Sequence, residues 1–406
     1  MPRRAAVAVT GIGVISPYGL GWEVLLEGLS EGRSAIRPIS ASANPLDTVP
    51  VVGQVTVPLD VKAPAGFRLS RTDRLALLAA RQASLPLAET KDERRECGVV
   101  VSTTVAGLSD IDAAGLRDPA GYYRRGGLGP ASTYPGAHVA DTVAATLGLG
   151  GPTLGVSVAC ASGAIAIGLA ARMIEEGRVR VALAGGSDAL APITLAGFNA
   201  LQALDGQPCR PFCETRAGLN LGEGAAMLLL ENAGHARARG AAVLGWLSGW
   251  AYSNDAFHPT APDEEGRGLA LSMELAMRSA DVGVEDVGYV NAHGTGTRLN
   301  DAAEVKAYER AFAGRTRPVP VSSTKSYVGH TLGAAGAIEA VITLLALRRG
   351  TLFPTLRLER PIETASVELL RSAPRSSPIE VAMSVSAGFG GSNASLVFRR
   401  TEGTGD

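Results

Sequence analysis

Short β-branched or Ala/Val-rich runs alternate with stretches of helical apolar periodicity along the whole chain. Continuous apolar runs of strand length predict strands buried on both faces. Their alternation with helices predicts a layered α/β protein with mixed β-sheets. Strands are expected over residues 6–10, 98–102, 156–159, 181–184 and 226–231, then over 243–251, 287–292, 319–323, 381–386 and 394–399. Helical periodicity is clearest over 71–84, 161–176, 268–280, 301–312 and 335–348. The polar, Ala/Arg-rich segment 233–242 separates the two sets. A similar order of elements on either side points to a structural duplication without a strong residue-level repeat. The chain therefore divides into 1–242 and 243–406.

Composition narrows the classes of function. The chain has 406 residues, 46% hydrophobic and 19% charged, enough for a large core. A formal net charge of -1 provides no global attraction to nucleic acid or to an acidic membrane surface. No apolar run reaches the roughly 18 residues of a membrane span, and the N-terminus lacks a signal-peptide pattern. The 4 cysteines, at 97, 160, 209 and 213, are too few and too irregular for a disulfide framework or a zinc site. A protein of the reducing cytoplasm without a bound metal is expected.

Four segments carry candidate chemistry. In Gly155-Val-Ser-Val-Ala-Cys160-Ala-Ser-Gly163 a β-branched run ends at a cysteine and a small-residue helix begins. A thiol at a helix N-terminus meets unpaired N–H groups that favour thiolate, a nucleophile able to carry an acyl group. A small buried core cysteine would read the same way from this segment alone. In Asn291-Ala-His293-Gly-Thr295-Gly-Thr297 a strand opens into a Gly/Thr loop whose hydroxyls suit a polar, elongated ligand. Lysine occurs only at 62, 91, 306 and 325, and Lys325 lies between a buried-looking strand and an apolar helix. It needs a counterion there, and Glu339 is the candidate. The turn Gly388-Phe389-Gly390-Gly391-Ser-Asn393 can aim a backbone N–H at an oxyanion, with Phe389 as a bulky flap.

Taken together, Cys160, His293, Lys325 and His330 in these surroundings resemble the elongating β-ketoacyl–acyl carrier protein synthases of the thiolase superfamily, fatty-acid or type II polyketide in kind. The resemblance runs from Val9-Thr-Gly-Ile-Gly-Val-Ile-Ser16 through Arg216-Ala-Gly-Leu-Asn-Leu-Gly-Glu-Gly-Ala225 to the Gly388–Asn393 turn. It implies a five-layered α-β-α-β-α thiolase-like fold with the active site between two similar halves. It also implies an acyl thioester on Cys160, condensed with a malonyl group that loses CO2. His293 and His330 would donate Nε2–H bonds to the enolate, and Lys325, paired with Glu339, would orient His330. Cys160 and Phe389 would form the oxyanion hole, Phe389 would act as gatekeeper, and Thr295 and Thr297 would bind pantetheine.

Further roles come from the same resemblance. Asp301 and Glu223 are structural supports, Val105 belongs to the acyl pocket, and Arg68, Arg71 and Arg210 lie where the family docks its acidic carrier protein. The phosphopantetheine arrives on the carrier, so no bound cofactor is expected. The partner is a second copy or a chain-length-factor-like homologue. Cys213 stands where many relatives carry Asp, and the segment 108–135 is hard to align, so chain length is not transferable. An aryl-polyene pathway is one polyketide option. Another type of thiolase-superfamily acyltransferase, or a non-catalytic chain-length factor, remains the alternative. A thiolase would carry a second Cys in the C-terminal Gly-rich loop, an initiating synthase Asn in place of His330, and a length factor no Cys160.

Overall fold

The computed structural model describes residues 6–39, 50–87, 91–111 and 131–401. Its first half contains β1 (Val7–Ser16), β2 (Gly98–Ser102), β3 (Thr153–Val156), β4 (Val181–Asp188) and β5 (Gly224–Asn232). The second half repeats the set as β6 (Gly245–Asn254), β7 (Tyr289–Asn291), β8 (Val319–Ser322), β9 (Val381–Gly388) and β10 (Ser392–Arg399). The spatial order is β3-β2-β4-β5-β1 in one half and β8-β7-β9-β10-β6 in the other, the same path shifted by one set of strands. Pairing directions also correspond. β2 is parallel to β3 and β4, and β7 to β8 and β9, while the remaining pairs are antiparallel.

Helices follow the same duplication. α1 (Arg71–Ala83), α2 (Ala137–Leu147) and α3 (Ser162–Glu175) match α4 (Arg267–Ala280), α5 (Arg298–Ala311) and α6 (Ala335–Arg349). α1 and α2 cover the outer face of the first half-sheet, and α4 and α5 that of the second. α3 and α6 lie between the half-sheets, which gives the five-layered α-β-α-β-α arrangement. Strand β4 shows why. Val181 and Leu183 join the outer core, whereas Ala182 and Ala184 join the central one, so both faces are apolar and buried. The half-sheets also meet edge to edge, where Val7, Ala8 and Val9 of β1 pair with Leu247, Trp246 and Gly245 of β6. One continuous hydrogen-bonded sheet results, a union that the apolar pattern of the separate runs did not announce.

The central helices touch at their glycines. A Cβ on Gly163 would lie 2.7 Å from the backbone N of Ala337, and one on Gly336 2.7 Å from that of Ala164. This reciprocal backbone contact fixes the two helix starts against each other. One expected strand is displaced. The run predicted over 156–159 forms its ladder at Thr153–Val156, because β3 pairs with β2 from Val99↔Thr153 to Ser102↔Val156 and then stops. Ala159 beyond it has φ of 45°, outside any strand conformation.

Replacing Gly163 or Gly336 by Ala is expected to destabilise the protein. An exposed Gly→Ala change inside a helix gains roughly 1 kcal/mol, whereas overpacking against backbone costs about 1–3 kcal/mol. The clash prevails, and the unfolding midpoint in denaturant falls for both variants. An unchanged or higher midpoint would show that the crossing has slack.

Candidate active site

Cys160 lies two residues ahead of α3, in a turn pinned by one hydroxyl. Ser162 Oγ donates to Ala159 O (2.5 Å) and accepts from Val158 N (2.7 Å). The left-handed backbone at Ala159 turns the chain so that the thiol enters a cavity instead of the core. That cavity, about 490 Å³, is also lined by His293, His330, Thr295, Thr297 and Phe389. The sulfur and both imidazoles therefore face one space at the junction of the halves.

Burial pushes the Cys160 thiol up to about 11. The Lys325 charge and the Phe389 N–H oppose this without overcoming it. The expectation that the helix start would leave a resting thiolate is corrected accordingly, since desolvation outweighs the favourable dipoles. Gly388 allows the two backbones to meet, because a Cβ there would lie 3.1 Å from Cys160 N. The N–H groups of Cys160 and Phe389 thus flank the sulfur.

The imidazoles form a T-shaped pair with ring centroids 5.3 Å apart. Lys325 Nζ contacts His293 Nδ1 (3.2 Å), donates to His293 O (2.6 Å) and donates to Glu339 Oε1. An ammonium has three donors and no acceptor, so His293 Nδ1 accepts and Nε2 carries the proton. His330 reaches the same tautomer differently. Leu332, at φ of 53°, folds back so that its N–H donates to His330 Nδ1 (3.3 Å). Among the described residues His330 Nε2 has no hydrogen-bond partner. Burial, the Lys325 charge and, for His293, its neighbour His330 hold both rings well below the ordinary histidine range. Two neutral N–H donors result.

Two family models match the chain. The "Beta-ketoacyl synthase, N-terminal domain" model matches residues 4–236, and the "Beta-ketoacyl synthase, C-terminal domain" model residues 244–359. The chain belongs to the beta-ketoacyl synthase family. Among curated relatives of this synthase is 3-oxoacyl-[acyl-carrier-protein] synthase 2 of Rhizobium meliloti (strain 1021), 36% identical, with 98% of this chain and 99% of that protein covered. Of the solved structures, the ishigamide ketosynthase/chain length factor superposes with a TM-score of 0.89 at 30% identity, covering 98% of this chain and 100% of that one. The AntDE:AntF complex, a type II PKS acyl-carrier protein with its ketosynthase bound to the hexaketide, gives 0.86 at 28% identity with the same coverage.

Several residues of the synthase lie elsewhere than expected or do something different. Lys325 holds His293, not His330, because the short helix Lys325–Val328 turns its ammonium toward the 293 loop. Arg71 is already engaged within the protein. Its guanidinium binds both oxygens of buried Glu223 (2.8 and 2.6 Å) and Val55 O (2.7 Å). Glu223 itself also accepts from Val55 N and Leu190 N, as a support would. Arg210 donates to Thr215 O (2.7 Å) and faces Asp205 (3.5 Å), while Arg68 is exposed. Val105 is not on the cavity wall. It packs with Leu219, which is on that wall, and with Ile39, Leu195, Leu221 and Leu332. Residues 112–130 of the unaligned segment 108–135 lie outside the described residues.

Asp301 accepts from Thr295 N, Gly296 N and Phe212 N, and so shapes the loop that carries both threonines. Thr295 Oγ1 and Thr297 Oγ1 are 2.9 Å apart. Cys213 lies 3.4 Å from Thr215 Oγ1 and does not line the cavity. Three residues escaped the sequence reading. Glu304 accepts from His293 N and Gly294 N (both 2.7 Å) and from Tyr308 Oη (2.6 Å), and burial raises it to about 7. Its place one helical turn after Asp301 was a usable signal. Asp188, at the end of β4, accepts from Thr104 N, Val105 N and Gly333 N and ties two loops to that strand end. Phe198 stacks on Phe389 with centroids 5.7 Å apart, and nothing in its neighbourhood in sequence announces this.

The lowered histidines predict a pH effect with a definite sign. In the unfolded chain each imidazole binds a proton near pH 6.5, but in the fold it resists doing so. Their contribution is complete above about pH 7 and is lost below about 6.5, at about 1.4 kcal/mol per pH unit per ring. Glu304 and Glu339, both raised to about 7 by burial, act in the opposite sense. The comparison with His330→Asn isolates the ring. Between pH 7.5 and 5.5 the wild type should lose more stability in denaturant titrations than the variant does.

Proposed function

We propose that this beta-ketoacyl synthase is an elongating acyltransferase that condenses an acyl group held on Cys160 with a malonyl group carried by an acyl carrier protein. The observation that carries this reading is the pair of neutral Nε2–H imidazoles facing a buried thiol in one cavity. In the first step Cys160 Sγ attacks the carrier thioester, and the C–S bond to the carrier thiol breaks as that thiol takes up a proton. Tetrahedral charge on the carbonyl oxygen falls to the Cys160 and Phe389 N–H groups. In the second step the malonyl carboxylate leaves as CO2, and the electron pair it leaves develops as an enolate. His293 and His330 stabilise that oxygen with two N–H donors in a dry site. The carbanion then forms the new C–C bond at the Cys160 thioester, and the Cys160 C–S bond breaks to release the 3-oxoacyl product on its carrier.

Lys325 acts here as a positioning residue, since it fixes the tautomer of His293 and not the proton on the substrate. Phe389, half-exposed and stacked on Phe198, suits a gate that moves between the two steps. Thr295 and Thr297 suit the pantetheine amides, with phosphopantetheine supplied by the carrier and no resident cofactor. The Gly388–Asn393 turn has no cysteine, which disfavours a thiolase. Fatty-acid and type II polyketide pathways, aryl polyenes among them, both fit this chemistry.

For a protein partner, the exposed edge strand β3 is the relevant feature. Among the described residues it pairs only with β2, and it presents Leu154 at 44% exposure. It would be covered by a second copy or by a chain-length-factor-like homologue. Among the described residues no helix is long and apolar enough to cross a membrane.

Cys160→Ala is expected to abolish both acylation and condensation. His293→Ala should still accept an acyl group but lose decarboxylation of malonyl-carrier by about a hundredfold or more. Intact-protein mass spectrometry reads the first step and CO2 release the second. Condensation by the Cys160→Ala protein would overturn the assignment.

A further inference from the structure

Among the described residues Arg298 is the one cationic side chain on the wall of the Cys160 cavity. It is exposed, and its guanidinium has no hydrogen bond or ion pair among the described residues. Nearby arginines are already committed. Arg216 donates to Thr297 O, Cys213 O and Arg298 O, and Arg210 to Thr215 O. The acid on the same wall, Asp255, is committed as well, to Asn393 Nδ2 (2.7 Å) and Asp263 N (3.1 Å). An unspent planar fork therefore stands at the outer end of a path whose inner end is the thiol.

The order of groups along that path matches the chemistry of one ligand. Cys160 and the imidazoles are innermost and buried, the Thr295–Thr297 hydroxyl pair follows, and Arg298 is next in sequence and faces outward. A phosphopantetheine arm carries a thioester at one end, amides in the middle and a phosphate at the other. With its thioester against Cys160 and its amides at the threonines, its phosphate lies toward the mouth. Arginine recognises phosphate oxygens in bidentate fashion and discriminates them from neutral groups.

We propose that Arg298 is a specificity residue that binds the phosphate of the incoming arm, an inference that rests on the ketosynthase reading. It selects phosphorylated pantetheine thioesters over unphosphorylated ones. The carrier's protein surface is not what it reads.

The test uses the full chain and two protein-free donors, hexanoyl-phosphopantetheine and hexanoyl-pantetheine, with Cys160 acylation followed by intact mass. The wild type should half-saturate at about tenfold lower concentration of the phosphorylated donor, the size expected of one charge-assisted contact. Arg298→Ala should erase that preference by raising the half-saturation for the phosphorylated donor alone, at unchanged maximal rate. Arg298→Lys, which keeps charge but not the fork, should recover part of it. Equal loss on both donors, loss on neither, or loss seen only with intact carrier protein would overturn the proposal. A folded wild type that takes an acyl group of any length neither from free arms nor from an intact acyl carrier protein would instead overturn the ketosynthase reading beneath it.

Discussion

Everything at the active site depends on how closely α3 and α6 approach. Gly163 and Gly336 let one backbone rest on the other, with no room for a Cβ at either position. The two helices occupy equivalent places in the duplicated halves, so one contact sets the relation of each half to its counterpart. Cys160 precedes α3 by two residues, and His330 leads into α6 through the short turn Leu332–Ala334. A shift of either helix start moves the sulfur relative to the ring. Around the crossing the central layer is mostly apolar and buried, which gives it little freedom to relax.

Around that scaffold the polar groups are arranged as an accounting of donors. Lys325 is buried and spends all three N–H bonds, on His293 Nδ1, His293 O and Glu339. By doing so it dictates where the proton of His293 is. His330 obtains the same outcome without a lysine, through a backbone N–H presented by a strained Leu332. Different local devices thus give both rings the same tautomer and leave both Nε2–H groups aimed at the cavity. Glu304 and Asp301 hold the loop beneath, each accepting consecutive backbone N–H groups that would otherwise be orphaned.

What the sequence could convey follows from the range over which each interaction acts. Strands β2, β4 and β9 were legible because a strand buried on both faces needs an apolar run, which is a local property. α2 was not, since Ala137–Leu147 is short of large apolar residues and packs through alanines and Val139 and Val143. The identities of Cys160, His293, Lys325 and His330 were readable from their flanking glycines and threonines, yet their pairing was not. Lys325 is five residues from His330 and thirty-two from His293, but it is the distant ring that it touches. Arg71 read as a free surface charge for the same reason, as Glu223 is 152 residues away. Contacts between residues far apart in the chain leave no local trace.

The raised Cys160 thiol is the feature most at odds with a simple view of a nucleophile. Burial prevails over the Lys325 charge and the Phe389 N–H, so the resting sulfur is protonated. A more exposed cysteine would ionise more readily, but the same exposure would weaken every donor in the cavity. Enolate formation demands a low dielectric, because two neutral N–H groups stabilise an oxyanion strongly only where water does not compete. The thiol gives up its proton only as an acyl donor arrives, and the site keeps the dryness that carbon–carbon bond formation needs. The geometry favours the second, harder step at the expense of the first.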